Sequence, residues 1–501
     1  MALTLLSTVP QINYGVGQAG SDLSQILPIA LVAVALLVAI VLDFSLPQPL
    51  RGTAAALTAA AGFALALLVA ALRFATGGGG SAYSGFASGD TFALFFEMLL
   101  AALGLLSVVI SRVYVRRRNL LEAELHVLLL AAVAGMMALA SATSLVTVFI
   151  SLETLSVALY VACGYSRRDT ASQESAVKYL LVGGFASAFL LYGMALAYGA
   201  TGTTVLSEIG KRVTEQDAHN PLLILSVILM AVGFGYKISG APFHQWTPDV
   251  YEGAPLPVTA FMSVGTKAAA FAMIIRVFGT GLAHLQAEWA LILAFIAVAS
   301  MLIGNLAAVV QTSFKRLMAY SSVAQGGYML VGVIAGGKSG FGATLFYLGA
   351  YLFMNFGAFA VLTMLVTPEG EHDRISDLDG LGYRHPLLGV LLTAFMLSLA
   401  GFPPSLGFFG KLFLFTAGVQ SGWTAVVVIA VLASVISVAY YVRVVYHVWS
   451  PVTSERRLWR SPAVVGVVTL SAVMALAISL YPALVFALGL TGAADALAAG
   501  H

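Results

Sequence analysis

Fourteen long apolar runs follow one another along this chain, each bounded by charges, glycine or proline. A hydrocarbon core takes about 20 apolar residues to cross as a helix. Inside it every backbone polar group must be satisfied internally. The repetition therefore admits one class, an all-α polytopic membrane protein. The runs lie near 27–44, 53–74, 91–113, 120–140, 144–164, 175–198, 222–247, 256–279, 289–310, 316–334, 341–366, 386–417, 423–448 and 463–488. Only Ser141, Thr143 and Ser144 mark the boundary between the fourth and fifth. Composition agrees: 9% of the 501 residues are charged and 60% hydrophobic, against about 25% charged in a soluble domain. The net charge of +2 says little. One cysteine, Cys163, leaves no internal disulfide and no cysteine-based cluster. Residues 1–26 hold no Lys or Arg, so the basic start of a cleavable signal peptide is missing.

The Lys/Arg distribution sets the orientation. With the N-terminus outside, the cytoplasmic loops carry Arg51; Arg112, Arg116, Arg117 and Arg118; Arg167 and Arg168; Lys315 and Arg316; Arg374 and Arg384; and Arg443, Arg456, Arg457 and Arg460. The outer loops carry Arg73, Lys211, Arg212, Arg276 and Lys338. This bias predicts both termini outside and an even number of spans. The remaining four basic residues, Lys178, Lys237, Lys267 and Lys411, fall inside apolar runs. So does Glu153. A charge at the bilayer centre costs at least about 2.5–3.5 kcal/mol, and such residues usually face a polar interior and serve function. Five of them predict a charged path through the membrane.

Two runs are interrupted. The seventh contains Ser239-Gly240-Ala241-Pro242-Phe243-His244, and the twelfth Ala400-Gly401-Phe402-Pro403-Pro404-Ser405-Leu406-Gly407. Proline removes an N–H and clashes with the preceding turn. The breaks are five helices apart, so the segments 120–279 (helices 4–8) and 289–448 (helices 9–13) are expected to be inverted repeats, each with one broken helix. The registers differ: Lys237 precedes its break, whereas Lys411 follows its own.

Glu153 stands nine or ten residues from either end of its run, about 14 Å from each surface. It is either a carboxylate that tunes a nearby lysine or a protonated acid holding helices together. Lys237 lies beside the first break. Burial disfavours a charged lysine and a nearby carboxylate favours it, so a lysine between those effects can exchange a proton. Lys267 lies mid-helix among small residues. Lys178 has Glu174 at i−4, which also suits a surface pair. Lys411 follows the second break roughly two turns from the outer surface, within reach of snorkelling. His244 sits in the first break and is either functional or a satisfied core residue. Glu97 and Asp43 read as interfacial. The Gly77–Gly80 run reads as a flexible outer link. There is no Walker A loop, dinucleotide fingerprint, HExxH or Cys-rich cluster. The longest loops, such as 366–385, are too short for a soluble catalytic domain.

The segment Lys237-Ile238-Ser239-Gly240-Ala241-Pro242-Phe243-His244-Gln245-Trp246-Thr247-Pro248-Asp249-Val250-Tyr251-Glu252-Gly253-Ala254-Pro255 resembles the signature of the antiporter-like subunits of respiratory complex I, the N type in particular. Glu153-Thr154-Leu155-Ser156, Gln311 to Ser322, Gly401-Phe402-Pro403-Pro404 and Phe409-Gly410-Lys411 are similar as well. The likeness covers about residues 90–450. It implies a Glu153/Lys237 pair modulated by Lys178, a central relay at Lys267 and an outer lysine at Lys411. Family members often place a histidine in helix 11, where this chain has Asn355. The implied function is proton translocation in the membrane arm of an NADH:quinone oxidoreductase. Flavin, Fe–S clusters and quinone would belong to other subunits, with no cofactor or metal in this chain. The implied partners are an M-type antiporter-like subunit, small K- and J-type subunits and the lipid of a bacterial plasma membrane, with no nucleic acid. Two alternatives are a subunit of a multisubunit Na⁺/H⁺ antiporter, which shares the fold and the Glu/Lys pairs, and a structural scaffold.

Overall fold

A computed structural model of the chain describes residues 16–368, 370–451 and 461–490. Among these residues twelve helices are long and apolar enough to cross a membrane. In chain order the helices used below are α1 (Leu27–Ser45), α2 (Gln48–Ala75), α3 (Thr91–Arg117), α4 (Glu122–Ser141), α5 (Leu145–Cys163), α6 (Thr170–Thr201), α7 (Pro221–Lys237) and α8 (Trp246–Gly253). There follow α9 (Leu256–Arg276), α10 (Gln286–Val309), α11 (Phe314–Ala335), α12 (Gly337–Leu362), α13 (Pro386–Ala400), α14 (Leu406–Gln420), α15 (Thr424–Val448) and α16 (Pro462–Leu480). Both interruptions read from the sequence are present. Residues 238–245 separate α7 from the short α8, and 401–405 separate α13 from α14. The faint boundary after the fourth run is also a true helix end. Ala142 turns extended, and the Thr143 hydroxyl donates to Gly85 O at 2.9 Å.

Helix starts are fixed by side chains that accept the orphan N–H groups of a first turn. Asp90 does this for α3, Ser313 for α11 and Ser405 for α14. Helix α9 is the axis of the molecule. Every residue from Leu256 to Arg276 is buried, as fits a helix that is apolar all round. It packs against α3, α4, α5, α7, α11 and α12. Gly265, Ala268, Ala269 and Ala272 keep its girth small and let neighbours approach. The outer helices instead expose apolar stripes, such as Val34, Leu37, Val41 and Phe44 on α1 and Leu181, Phe185 and Tyr192 on α6. Lys267 is thereby placed at the centre of the molecule.

Four readings from the sequence are corrected. Glu97 is not interfacial: it is fully buried, and one carboxylate oxygen accepts from the Ser141 hydroxyl at 3.0 Å. Connecting segments cover this end of the bundle through bridges of Ala87 to Ala142 and Ser144 to Val205. Arg276 is likewise buried rather than a loop residue. It donates to both Asp90 carboxylate oxygens at 2.7 and 2.8 Å and to Ala140 O at 3.0 Å. Burial alone would push the Asp90 carboxyl up, but the guanidinium holds it below its ordinary range. Lys315, assigned to a cytoplasmic loop, is buried and bonded to Ala254 O at 2.8 Å and Glu371 at 2.7 Å. The 366–385 loop folds back over it, and Glu371 also accepts from the Tyr114 hydroxyl at 2.6 Å and Leu256 N at 2.9 Å. The glycine run is no free link, because Gly79 N donates to Gly89 O and leads into a two-residue hairpin of Ser81–Ala82 with Ala87–Ser88. Arg456, Arg457, Arg460 and both chain ends lie outside the described residues.

Candidate functional site

Glu153 projects from α5 and is half-buried. Its carboxylate accepts from the Ser187 hydroxyl of α6 at 2.6 Å. Three residues along α5, on the same face, the Ser156 hydroxyl accepts from Lys237 Nζ at 2.7 Å. Lys237 ends α7 and is buried in a nest of rings, with Nζ 5.6, 5.9 and 6.0 Å from the centroids of Tyr236, Tyr179 and Tyr160. That lies at the limit of a useful cation–π contact. Lys237 thus reaches the face of α5 that carries Glu153, but among the described residues each is bonded to a serine and not to the other.

Lys178 stands apart. It is partly exposed and pairs with Glu174 at 2.7 Å and Asp249 at 2.8 Å. Asp249 also receives Arg316 at 2.9 Å, and Arg316 reaches Glu252 at 2.8 Å. Nine residues of α6, about 13 Å of rise, separate Lys178 from Ser187. The structure therefore ties Lys178 to α8 and α11, away from the Glu153 carboxylate. His244 lies in the first break, 6.5 Å from the Tyr320 ring, with Nδ1 buried and unpartnered among the described residues.

Lys267 is buried on α9. Its Nζ donates to Ile238 O and to Ser322 O, each at 2.8 Å. Ile238 is the residue at which α7 stops, so the first break supplies one carbonyl of this cradle. A Cβ at position 326 would fall 3.3 Å from Nζ and 3.1 Å from Ile238 O, so Gly326 keeps the space open. Lys411 on α14 repeats the theme. Its Nζ donates to Ala400 O at 2.9 Å and to the Ser434 hydroxyl at 2.8 Å. It lies 4.8 Å from the Tyr328 ring. Ala400 ends α13, so the second break also hands a carbonyl to a lysine. Lys411 lines an open cleft of about 380 Å³ with Phe402, Pro403 and Phe415.

Among the described residues the acceptors of Lys237, Lys267 and Lys411 are therefore all neutral. A carboxylate partner favours the charged form of a lysine, and none of these three donates to one among the described residues. Sequence reasoning missed a set of buried polar side chains gathered about α11: Gln325 and Tyr328 on that helix, with Tyr347, Tyr440, Tyr441 and Asn305 bonded to them or to one another. Its traces in the sequence were Ser321, Gln325 and Tyr328, spaced i, i+4, i+7 in an otherwise apolar run. Asn355 is buried on α12 and donates to the Ser263 hydroxyl at 2.6 Å, one turn from Lys267.

Residues 142–437 match the transmembrane family described as NADH:quinone oxidoreductase/Mrp antiporter. NADH-quinone oxidoreductase subunit N of Trichlorobacter lovleyi is 44% identical over 398 residues, 79% of this chain and 81% of that protein. NAD(P)H-quinone oxidoreductase subunit 2 of Synechococcus elongatus is 42% identical over 445 residues, 88% of this chain and 82% of that protein. A chain of respiratory complex I from Thermus thermophilus superposes with a TM-score of 0.80 at 34% identity, covering 93% of this chain and all of that one. A chain of the Mrp complex from a Dietzia species gives a TM-score of 0.81 at 22% identity, over 95% and 97%, which is likeness of fold.

Proposed function

The chain belongs to the NADH:quinone oxidoreductase/Mrp antiporter transmembrane family, in its subunit N branch, and from that premise we propose how it works. It is a proton-translocating membrane-arm subunit of an NADH:quinone oxidoreductase. The observation that carries the mechanism is the pair of helix breaks, each of which frees a carbonyl that accepts from a buried lysine. We read residues 120–279 and 289–448 as two inverted repeats built around those breaks. Glu153 and Lys237 act as an ionisable pair at one face of α5, with Ser156 holding the lysine. Lys267 is the central relay between the repeats, and Lys411 is the outer lysine at the open cleft. Lys178 and His244 act on the first break, Lys178 through its bond to Asp249 on α8.

Redox chemistry, with flavin, Fe–S clusters and quinone, takes place in partner subunits. M-type, K-type and J-type membrane subunits cover the apolar faces that α1, α6 and α16 leave open. The complex lies in a bacterial plasma membrane with both termini of this chain outside.

Vesicles holding the whole complex test the reading. Quinone reduction should drive primary proton movement that a protonophore collapses. A lysine ammonium is a poor Na⁺ ligand, since hard cations take oxygen donors, so radioactive Na⁺ should not move. Redox-driven Na⁺ movement that survives a protonophore, without primary proton movement, would overturn the assignment in favour of an antiporter-type mechanism.

A further inference from the structure

Helix α11 runs between the two central lysines. Its Ser322 O holds Lys267 Nζ at 2.8 Å. One turn on, about 4.5 Å of rise, the fully buried Gln325 donates through Nε2 to Leu399 O at 3.2 Å. The next carbonyl in the chain, Ala400 O, is the one that holds Lys411. Gln325 thus bridges the cradle of one lysine to the docking point of the other.

Its remaining polar contacts are all used. Oε1 accepts from the Tyr347 hydroxyl at 2.5 Å, and Nε2 donates also to the Tyr441 hydroxyl at 3.2 Å. Tyr441 in turn shares a 2.5 Å hydrogen bond with Ser321. An amide carbonyl only accepts and its NH₂ only donates. Gln325 therefore dictates that Tyr347 points its proton inward, while Tyr441 accepts from the amide and shares a further hydrogen bond with Ser321. A hydroxyl chain carries a proton only when its members align, and a primary amide does not take up a proton near neutral pH. The amide thus orients the Tyr347 hydroxyl, engages that of Tyr441 and stands between the lysines.

We infer that Gln325, with Tyr347 and Tyr441, is a positioning joint on the proton route between Lys267 and Lys411. It holds the two lysines apart in the arrangement seen here and lets protons pass when its side chain swings aside. The inference rests on the reading of those lysines as the path.

The test uses the assembled complex in vesicles. Gln325→Leu removes both polar ends at similar volume, and Gln325→Glu keeps the shape but adds an ionisable group. Gln325→Leu should lower pumping on the order of fivefold, the kinetic equivalent of one positioning hydrogen bond, with normal amounts of complex. Gln325→Glu should shift the pH profile of pumping, which a merely structural role would not do. Wild-type rates and pH profile in both variants would overturn the inference. So would loss of pumping only in proportion to lost complex. Lys267→Ala and Lys411→Met serve as controls. If they pump normally, the lysine path fails and the inference with it. If they fail while the Gln325 variants pump normally, the inference alone falls.

Discussion

Ser156 lies three residues from Glu153 on α5 and accepts from Lys237 Nζ at 2.7 Å, while its own hydroxyl donates to Leu152 O. On the proposed reading Glu153 acts on that lysine through space, since no ion pair joins them among the described residues. Glu153→Gln keeps an oxygen for the Ser187 hydroxyl and removes the charge, so the complex should assemble. Pumping should fall at least about tenfold, as when a proton-transfer group is removed. The check is proton uptake by vesicles normalised to assembled complex, and full coupled activity would refute the pair. Glu153, Lys237, Lys267 and Lys411 were legible as single letters because an ionisable residue is conspicuous in an apolar run. Gln325, Tyr347 and Tyr441 were not, since tyrosine and glutamine carry no comparable cost and their role appears only when α11, α12, α13 and α15 converge. Glu97, Arg276 and Lys315 were misplaced because distance from a helix end measures depth along the chain, not cover by a folded loop.

At the scale of elements, Gly-Ala-Pro and Gly-Phe-Pro-Pro announced both breaks, since proline cannot continue the hydrogen-bond ladder. Their purpose was not legible: a freed carbonyl has no signature, and Ile238 and Ala400 look like any apolar residue. The partner of Ile238 O is Lys267 of another helix, with Gly326 opposite. Gly326→Ala places a methyl 3.1 Å from that carbonyl and 3.3 Å from Nζ. Overpacking of this kind costs about 1–3 kcal/mol, so the purified complex should melt lower. Lys267 should also be displaced and pumping reduced in what remains assembled. Unchanged melting and pumping would show that the cradle has slack.

Across the whole molecule, hydropathy located the long apolar helices closely because the bilayer leaves such a run no alternative. It also placed Lys267 in mid-helix, but not at the centre of the fold: that follows from α9 being enclosed on every side. The Lys/Arg bias predicts both termini outside. Cysteines introduced near residue 5 and near residue 495 should react with an impermeant thiol reagent from the outer side, and labelling only from the cytoplasmic side would reverse the topology. The central claim is that protons move by way of lysines that lose and regain charge. The most direct measurement is the proton-to-electron ratio of the assembled complex carrying Lys267→Arg. Arginine keeps the positive charge but stays protonated. A relay therefore predicts a clearly lowered ratio with assembly intact. A ratio equal to the wild type would make Lys267 a fixed structural cation and contradict the account.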